Sequence, residues 1–115
     1  MTNLVTDEQH AQLLENGGHV VGCDEFDPHP VIKLFMPDAA ATWLLTEIDQ
    51  DDHDRAFGLC DLGHGFPELG YVSLRALQAM RGRLGLPVQR DLHFKADKPI
   101  SAYAREARLA GRITA

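Results

Sequence analysis

Three side chains able to bind a metal ion lie close together in the sequence, at Cys60, Asp61 and His64. Thiolate and imidazole ligands suit Zn²⁺, and His93 or Cys23 would be the more distant ligands. However, the chain has neither Cys-x-x-Cys nor His-Glu-x-x-His, the paired motifs that zinc sites ordinarily use. Because free cysteine is commonly buried, we interpret Cys60 as a small apolar core residue and predict no metal site.

An acidic run at 49–54 has the alternating carboxylates of a calcium loop, at Asp49, Asp51 and Asp54. Two required positions are wrong for calcium binding. Asp54 stands where such a loop needs a glycine for its sharp turn, and Cys60 stands where it needs a bidentate Glu. The run is too polar to pack and strand patterns flank it, so we predict a solvated hairpin tip.

Nucleophilic catalysis needs a Ser, Thr or Cys next to an oriented base, and no segment has that local signature. Ser73 lacks the Gly-x-Ser-x-Gly pattern of a nucleophile elbow and is instead a good helix N-cap. The 63–65 segment, Gly-His-Gly, lacks the further residues of a phosphate-binding loop. We therefore assign no catalytic residue and no cofactor.

The glycine-rich loop at 63–70 combines aromatic and polar side chains, a mixture typical of binding loops. The alternative that Phe66 folds back into the core stays open. Together with the acidic run, this loop supplies the candidate partner-binding residues, which are Asp51, Asp52, Asp61, His64, Phe66, Glu68 and Tyr71.

Length and composition predict one soluble domain over residues 1–115, since 44% hydrophobic and 24% charged residues are ordinary for a globular protein. The net charge of −6 disfavours direct binding to nucleic acid or to anionic lipid. Basic residues concentrate in the C-terminal part, so a local basic face remains a possible alternative.

Without a predicted signal peptide or membrane span, we expect a cytoplasmic protein with reduced cysteines.

Local patterns predict an α+β fold, an antiparallel sheet of four to five strands with two or three short helices packed on one side. A helix within residues 1–18 starts at the Thr6 capping box and ends at Gly17-Gly18, and a connector follows at 19–30. Strands are predicted at 31–36, 42–48, 56–62, 68–72 and 88–94. One further helix follows the Ser73 cap, and a last one is capped by Ser101 and ends at Gly111.

Several segments resemble a known family. They are Pro-Val-Ile-Lys-Leu-Phe at 30–35, Thr-Trp-Leu-Leu-Thr-Glu at 42–47 and the stretch 56–74, with Gly-Phe-Pro-Glu-Leu-Gly at 65–70. Similarity continues through 81–82, 84–87, 90–91 and 101–103, so that it covers nearly the whole chain after the first helix. On these residues the chain resembles the bacterial family catalogued as domain of unknown function 2958. His64 departs from the family pattern, where an apolar residue is usual.

The resemblance implies an association with plasmids, phages and integrative elements, and a shared role for the loop at 65–70. Our leading hypothesis is a non-enzymatic accessory module of a mobile element, an acidic counter-defence or regulatory protein that binds another protein. The alternative is a small metal-dependent hydrolase or nuclease-like enzyme using Asp61, His64, Glu68 and His93. A third hypothesis is a regulatory subunit that dimerises through a strand edge.

Overall fold

The computed structural model describes residues 4–20 and 26–115. It confirms the predicted α+β class, with a five-stranded antiparallel sheet of order β4-β3-β2-β1-β5. The strands are β1 (Ile32–Phe35), β2 (Thr42–Asp49), β3 (Asp52–Asp61), β4 (Glu68–Ser73) and β5 (Gln89–Arg90). The helices are α1 (Asp7–Val20), α2 (Leu74–Ala79) and α3 (Ile100–Ala110). None of these helices is long and apolar enough to cross a membrane.

The helices cover both faces of the sheet, whereas the sequence predicted cover on one side. Along β2, Trp43 and Leu45 pack in the core beneath α1 and α2, whereas Leu44 packs with Leu59 beneath α3. Neighbouring residues of a strand point to opposite faces. A central strand that is apolar on both faces therefore needs two layers of cover, and α3 supplies the second.

Helix α1 begins at the predicted capping box, which the structure confirms. Thr6 Oγ1 accepts a hydrogen bond from the Gln9 amide, and Gln9 Oε1 accepts one from the Thr6 amide, each at 3.1 Å. The predicted end at Gly17-Gly18 is wrong, because the helix continues to Val20. A side chain at Gly17 would place its Cβ 1.9 Å from the carbonyl oxygen of Ile48, so this glycine permits close packing of α1 on β2.

The C-terminal part differs from the prediction in two places. Strand β5 is only Gln89–Arg90, because the side chain of Asp91 accepts a hydrogen bond from the His93 amide and turns the chain away from β1. Helix α3 is not capped by Ser101, which lies within its first turn. Asp27, from the connector, caps the helix instead by accepting bonds from the Ser101 amide and hydroxyl. The predicted end at Gly111 is confirmed by its left-handed backbone.

Two glycines that pair across β3 and β4 provide a test of the sheet packing. Gly58→Ala would place a Cβ 2.0 Å from the Leu44 carbonyl oxygen, whereas the space around Gly70 is open. We expect Gly58→Ala to lower the free energy of unfolding by about 1–3 kcal/mol or more, as overpacking does. Gly70→Ala should change it by less than about 0.5 kcal/mol. Urea denaturation measures both, and equal effects would contradict the packing described.

Candidate interaction surface at the β4 edge

The loop between β3 and β4, residues 62–67, leaves its aromatic side chain in solvent. Gly63 and Gly65 have φ values of +83° and +86°, a left-handed backbone that glycine adopts without strain. Phe66, which follows them, is 79% exposed, so the alternative that it folds into the core is wrong. His64 is also exposed. This loop therefore presents a large apolar ring that the fold itself does not use.

Asp61 must be removed from the candidate partner-binding set, because it is only 2% exposed. Its Oδ1 accepts a hydrogen bond from the Gly63 amide at 2.9 Å, and its Oδ2 accepts one from the Ile113 amide at 2.8 Å. The carboxylate thus ties the start of the loop to the chain that follows α3. Its role is to hold the loop in place, since both oxygens accept backbone hydrogen bonds and the residue is almost fully buried.

Strand β4 is an edge strand, because among residues 4–20 and 26–115 it has β3 as its only neighbour in the sheet. Leu69 and Tyr71 share the face that α3 covers elsewhere, since they pair with Leu59 and Phe57 of β3. Tyr71 is 54% exposed and lies edge-on to Phe57, with their ring centroids 5.0 Å apart. The guanidinium of Arg55 lies 3.8 Å from the Tyr71 ring centroid, a cation–π contact. These contacts fix the orientation of the Tyr71 ring.

The acidic hairpin lies at the opposite end of β3 from the Phe66 loop. The predicted hairpin is present, but its turn is only Gln50 and Asp51, because Asp49 ends β2 and the rest of the acidic run, 52–54, belongs to β3. Asp51 and Asp52 are exposed there. Since β3 spans ten residues, about 30 Å separate the hairpin from the Phe66 loop at the usual rise per residue. The candidate residues therefore form two groups at the two ends of one strand pair.

Asp54, although part of the acidic run, serves the fold. Its carboxylate accepts hydrogen bonds from the Ser73 hydroxyl and from the Arg75 amide at 2.9 Å. These bonds, the Ser73 bond foremost, hold the pKa of Asp54 below its usual value. The Ser73 hydroxyl in turn accepts a bond from the Ala76 amide at 3.1 Å, which confirms the predicted N-cap of α2.

The four residues of the alternative enzyme hypothesis do not converge. Glu68 begins β4 at one edge of the sheet, whereas His93 follows β5 at the other edge. Asp61 is buried with both oxygens bonded. Across residues 4–20 and 26–115, no three His, Cys, Asp or Glu side chains are grouped to hold a metal ion. Cys23 lies outside these ranges.

Burial raises the pKa of one thiol and one carboxyl group in this region, those of Cys60 and Glu47. Burial raises the pKa of the Cys60 thiol to about 11, which makes it a poor nucleophile and agrees with the predicted core role. Glu47 is buried on the same face as Phe57, its partner in β3. Burial raises the pKa of Glu47, and a 3.1 Å hydrogen bond from the Thr46 hydroxyl opposes that shift only in part.

Sequence reasoning missed Leu69 and Arg55 as parts of this surface, and it missed the buried carboxyl group of Glu47 beside Phe57. Leu69 had a usable signal, because it precedes Tyr71 by two residues and so shares its face of the strand. Arg55 and Glu47 had none, since their positions beside Tyr71 and Phe57 depend on the register between strands.

The comparisons with known proteins yield one match. A family described as Protein of unknown function (DUF2958) matches residues 4–114, nearly the whole chain. No curated protein and no solved structure matches the chain.

The buried carboxylate of Asp61 gives a test of how the loop is held. Asp61→Asn replaces one carboxylate oxygen, a hydrogen-bond acceptor, with an NH₂ group, so that two donors would face each other at a backbone N–H. We expect a loss of about 1.5–3 kcal/mol in the free energy of unfolding, the usual range for a hydrogen bond to a charged group. Asp51→Asn is the matched control, exposed at the hairpin, and should change stability by less than about 0.5 kcal/mol. Chemical denaturation checks both; a neutral Asp61→Asn would contradict the assigned role.

The raised pKa of Glu47 predicts a stability that depends on pH. Because the folded-state pKa lies above the unfolded one, charged Glu47 destabilises the fold at neutral pH and ceases to do so in acid. Glu47→Gln keeps an acceptor for Thr46 without the charge, so it should stabilise the protein at neutral pH. That gain should shrink as the pH falls into the carboxyl range. Urea unfolding over a pH series measures it, and a gain independent of pH would refute the assignment.

Proposed function

We propose that this chain, which belongs to the family Protein of unknown function (DUF2958), is a non-enzymatic protein-binding module. Its occupant is an extended, basic segment of a partner protein that pairs with the open edge of β4. The observation that carries the proposal is an edge strand flanked by exposed apolar side chains, with Phe66 79% exposed and Tyr71 54% exposed.

The backbone of β4 is available for pairing. An edge strand leaves every second residue with an unpaired N–H and C=O, and proteins that avoid strand addition place Lys, Pro or a bulge there. The β4 sequence, Glu-Leu-Gly-Tyr-Val-Ser, has none of these. Gly70, at its centre, has open space where a Cβ would stand. A glycine in a strand interior is typical of a site that another backbone approaches closely.

The side chains around β4 provide specificity. Phe66, Leu69 and Tyr71 offer apolar contact area, and buried aromatic residues carry much of the binding energy in protein interfaces. The Tyr71 ring is already oriented by Arg55 and Phe57, so little conformational entropy is lost when it binds. An added strand would lay alternate side chains on this face.

Charge favours a basic occupant. The net charge is −6, and carboxylates stand at both ends of the β3–β4 pair. Glu68 begins β4, whereas Asp51 and Asp52 lie at the hairpin, beyond the last residue of β3 that pairs with β4. A single extended segment of about nine residues spans the 30 Å between these ends. One strand can therefore engage both groups of candidate residues, which a compact contact at either loop alone would not do.

The biological setting that we propose rests on the association with plasmids, phages and integrative elements that the resemblance implies. We place the protein there as an accessory factor in the bacterial cytoplasm. An acidic binding module of this size would compete for a basic surface of a nucleic-acid-binding complex, either as a counter-defence protein or as a regulator.

Photo-crosslinking in host cells tests the proposal. A crosslinking amino acid at position 66 or 71 should capture the same discrete protein, and the same group at position 109 should not, although Leu109 is 85% exposed. With that protein purified, Phe66→Ala and Tyr71→Ala should each weaken binding at least about tenfold, as interface hot spots do. Leu109→Ala should leave the affinity unchanged.

Two further measurements decide the mode of binding. Hydrogen exchange should slow at β4 amides in the complex and stay unchanged at the Leu109 end of α3. If light scattering instead shows that the protein alone forms a dimer that Tyr71→Lys dissociates, the occupant is a second copy and the proposal is wrong. Equal crosslinking from positions 66, 71 and 109 would also overturn it.

A further inference from the structure

A groove of about 690 Å³ lies on the opposite side of the molecule from the Tyr71 face, between α1, the start of β3 and α2. Ligand sites usually have volumes of about 300–1,000 Å³, so this groove is large enough for a small molecule. We propose that it binds a phosphate group, either as the free ion or carried on a small molecule. The proposal does not depend on the function assigned to β4.

Basic side chains from three elements line this groove. His10 comes from α1, His53 from β3 and Arg75 from α2, and Arg81 follows the end of α2. The two imidazole rings are 5.9 Å apart and nearly perpendicular. Such a concentration is notable in a chain with seventeen acidic and eleven basic residues, because it opposes the overall charge. Guanidinium and imidazolium groups are the usual partners of phosphate.

Within the described residues, neither Arg75 nor Arg81 lies within ion-pairing distance of a carboxylate, although the Arg75 charge contributes to the lowered pKa of Asp54. Ion pairs in the parts of the chain that the structure describes include Lys33–Asp91, Lys98–Asp97 and Lys98–Glu106, none of which involves a residue that lines the groove. One terminal nitrogen of Arg81 donates to the Gln78 and Met80 carbonyls, each at 2.9 Å. A guanidinium has five N–H donors, so further donors stay available to an anion.

Asp54 is the only carboxylate that lines the groove among the described residues, and it is already engaged. Its oxygens accept hydrogen bonds from the Ser73 hydroxyl and the Arg75 amide, so that they face the start of α2. Leu74 and Ala79 add an apolar part to the lining. The groove thus offers cationic donors for a phosphate together with a surface on which an attached organic group can pack.

Titration calorimetry at low ionic strength tests this with three probes, inorganic phosphate, AMP and adenosine. We expect the wild-type protein to bind phosphate and AMP with millimolar or better affinity and adenosine much more weakly. Tighter binding of AMP than of phosphate identifies a phosphorylated small molecule as the ligand, and equal binding identifies the free ion. If neither anion binds, or if adenosine binds as well as AMP, the proposal is wrong.

The variant His53→Gln/Arg75→Gln removes two exposed groove side chains and should weaken AMP binding at least tenfold. Its matched control, His93→Gln/Arg105→Gln, removes one exposed histidine and one exposed arginine from elsewhere on the surface. The control should retain wild-type affinity, and equal losses in both variants would show a nonspecific charge effect and overturn the site. Histidine ring resonances of the wild type, followed by NMR during the phosphate titration, should shift at His10 and His53 and not at His93.

Discussion

The burial of β2 on both faces is the constraint on which the rest of this fold depends. From Trp43 to Ile48 the strand is buried without interruption. A strand of this kind must lie inside a sheet and must have a covering layer on each side. The sheet order places β2 in the middle, with α1 and α2 over one face and α3 over the other. The other strands lie on either side of β2, and β4 and β5 are the edge strands of the described sheet.

Small residues make the layering possible. Helix α1 approaches β2 so closely that Gly17 cannot carry a side chain, and Gly58 is restricted in the same way by the Leu44 carbonyl. Polar bonds then fix the layers in register. Asn16 of α1 donates to the Thr46 carbonyl at 2.8 Å, at the point where the β2–β3 register shifts. The bulge bends the strand while the helix satisfies one of its backbone acceptors.

Whether a feature of this fold could be predicted from the sequence depends on how far apart its interacting residues lie along the chain. The capping box at Thr6 and the cap at Ser73 use partners within three residues, and both predictions hold. The failures involve remote partners: Gly17 meets Ile48, and α3 is capped by Asp27 from the connector. The candidate site shows the same division. The exposure of Phe66 agrees with its loop composition, whereas the burial of Asp61 depends on Ile113, 52 residues away.

The two edges of the sheet, β4 and β5, differ in length and in the side chains that they expose. Strand β5 has two residues, and Lys33 of the neighbouring β1 pairs with Asp91 at 3.5 Å beside it, so that edge is short and charged. Strand β4 has six residues, a central glycine and exposed Leu69 and Tyr71. An open edge presents unpaired N–H and C=O groups to which another chain can add as a strand, and β4 presents more of them than β5.

The proposed strand-binding edge and the proposed phosphate groove meet where Ser73 contacts Asp54. Ser73 ends β4, and its hydroxyl donates to Asp54, which lines the groove. Arg75, whose amide bonds to the same carboxylate, contributes its side chain to the groove. The last residue of β4 and the first turn of α2 are thus held by a single carboxylate. An anion bound in the groove would lie near the Asp54 carboxylate, which fixes the end of β4. The two surfaces are therefore connected through this residue, although they lie on different faces of the sheet.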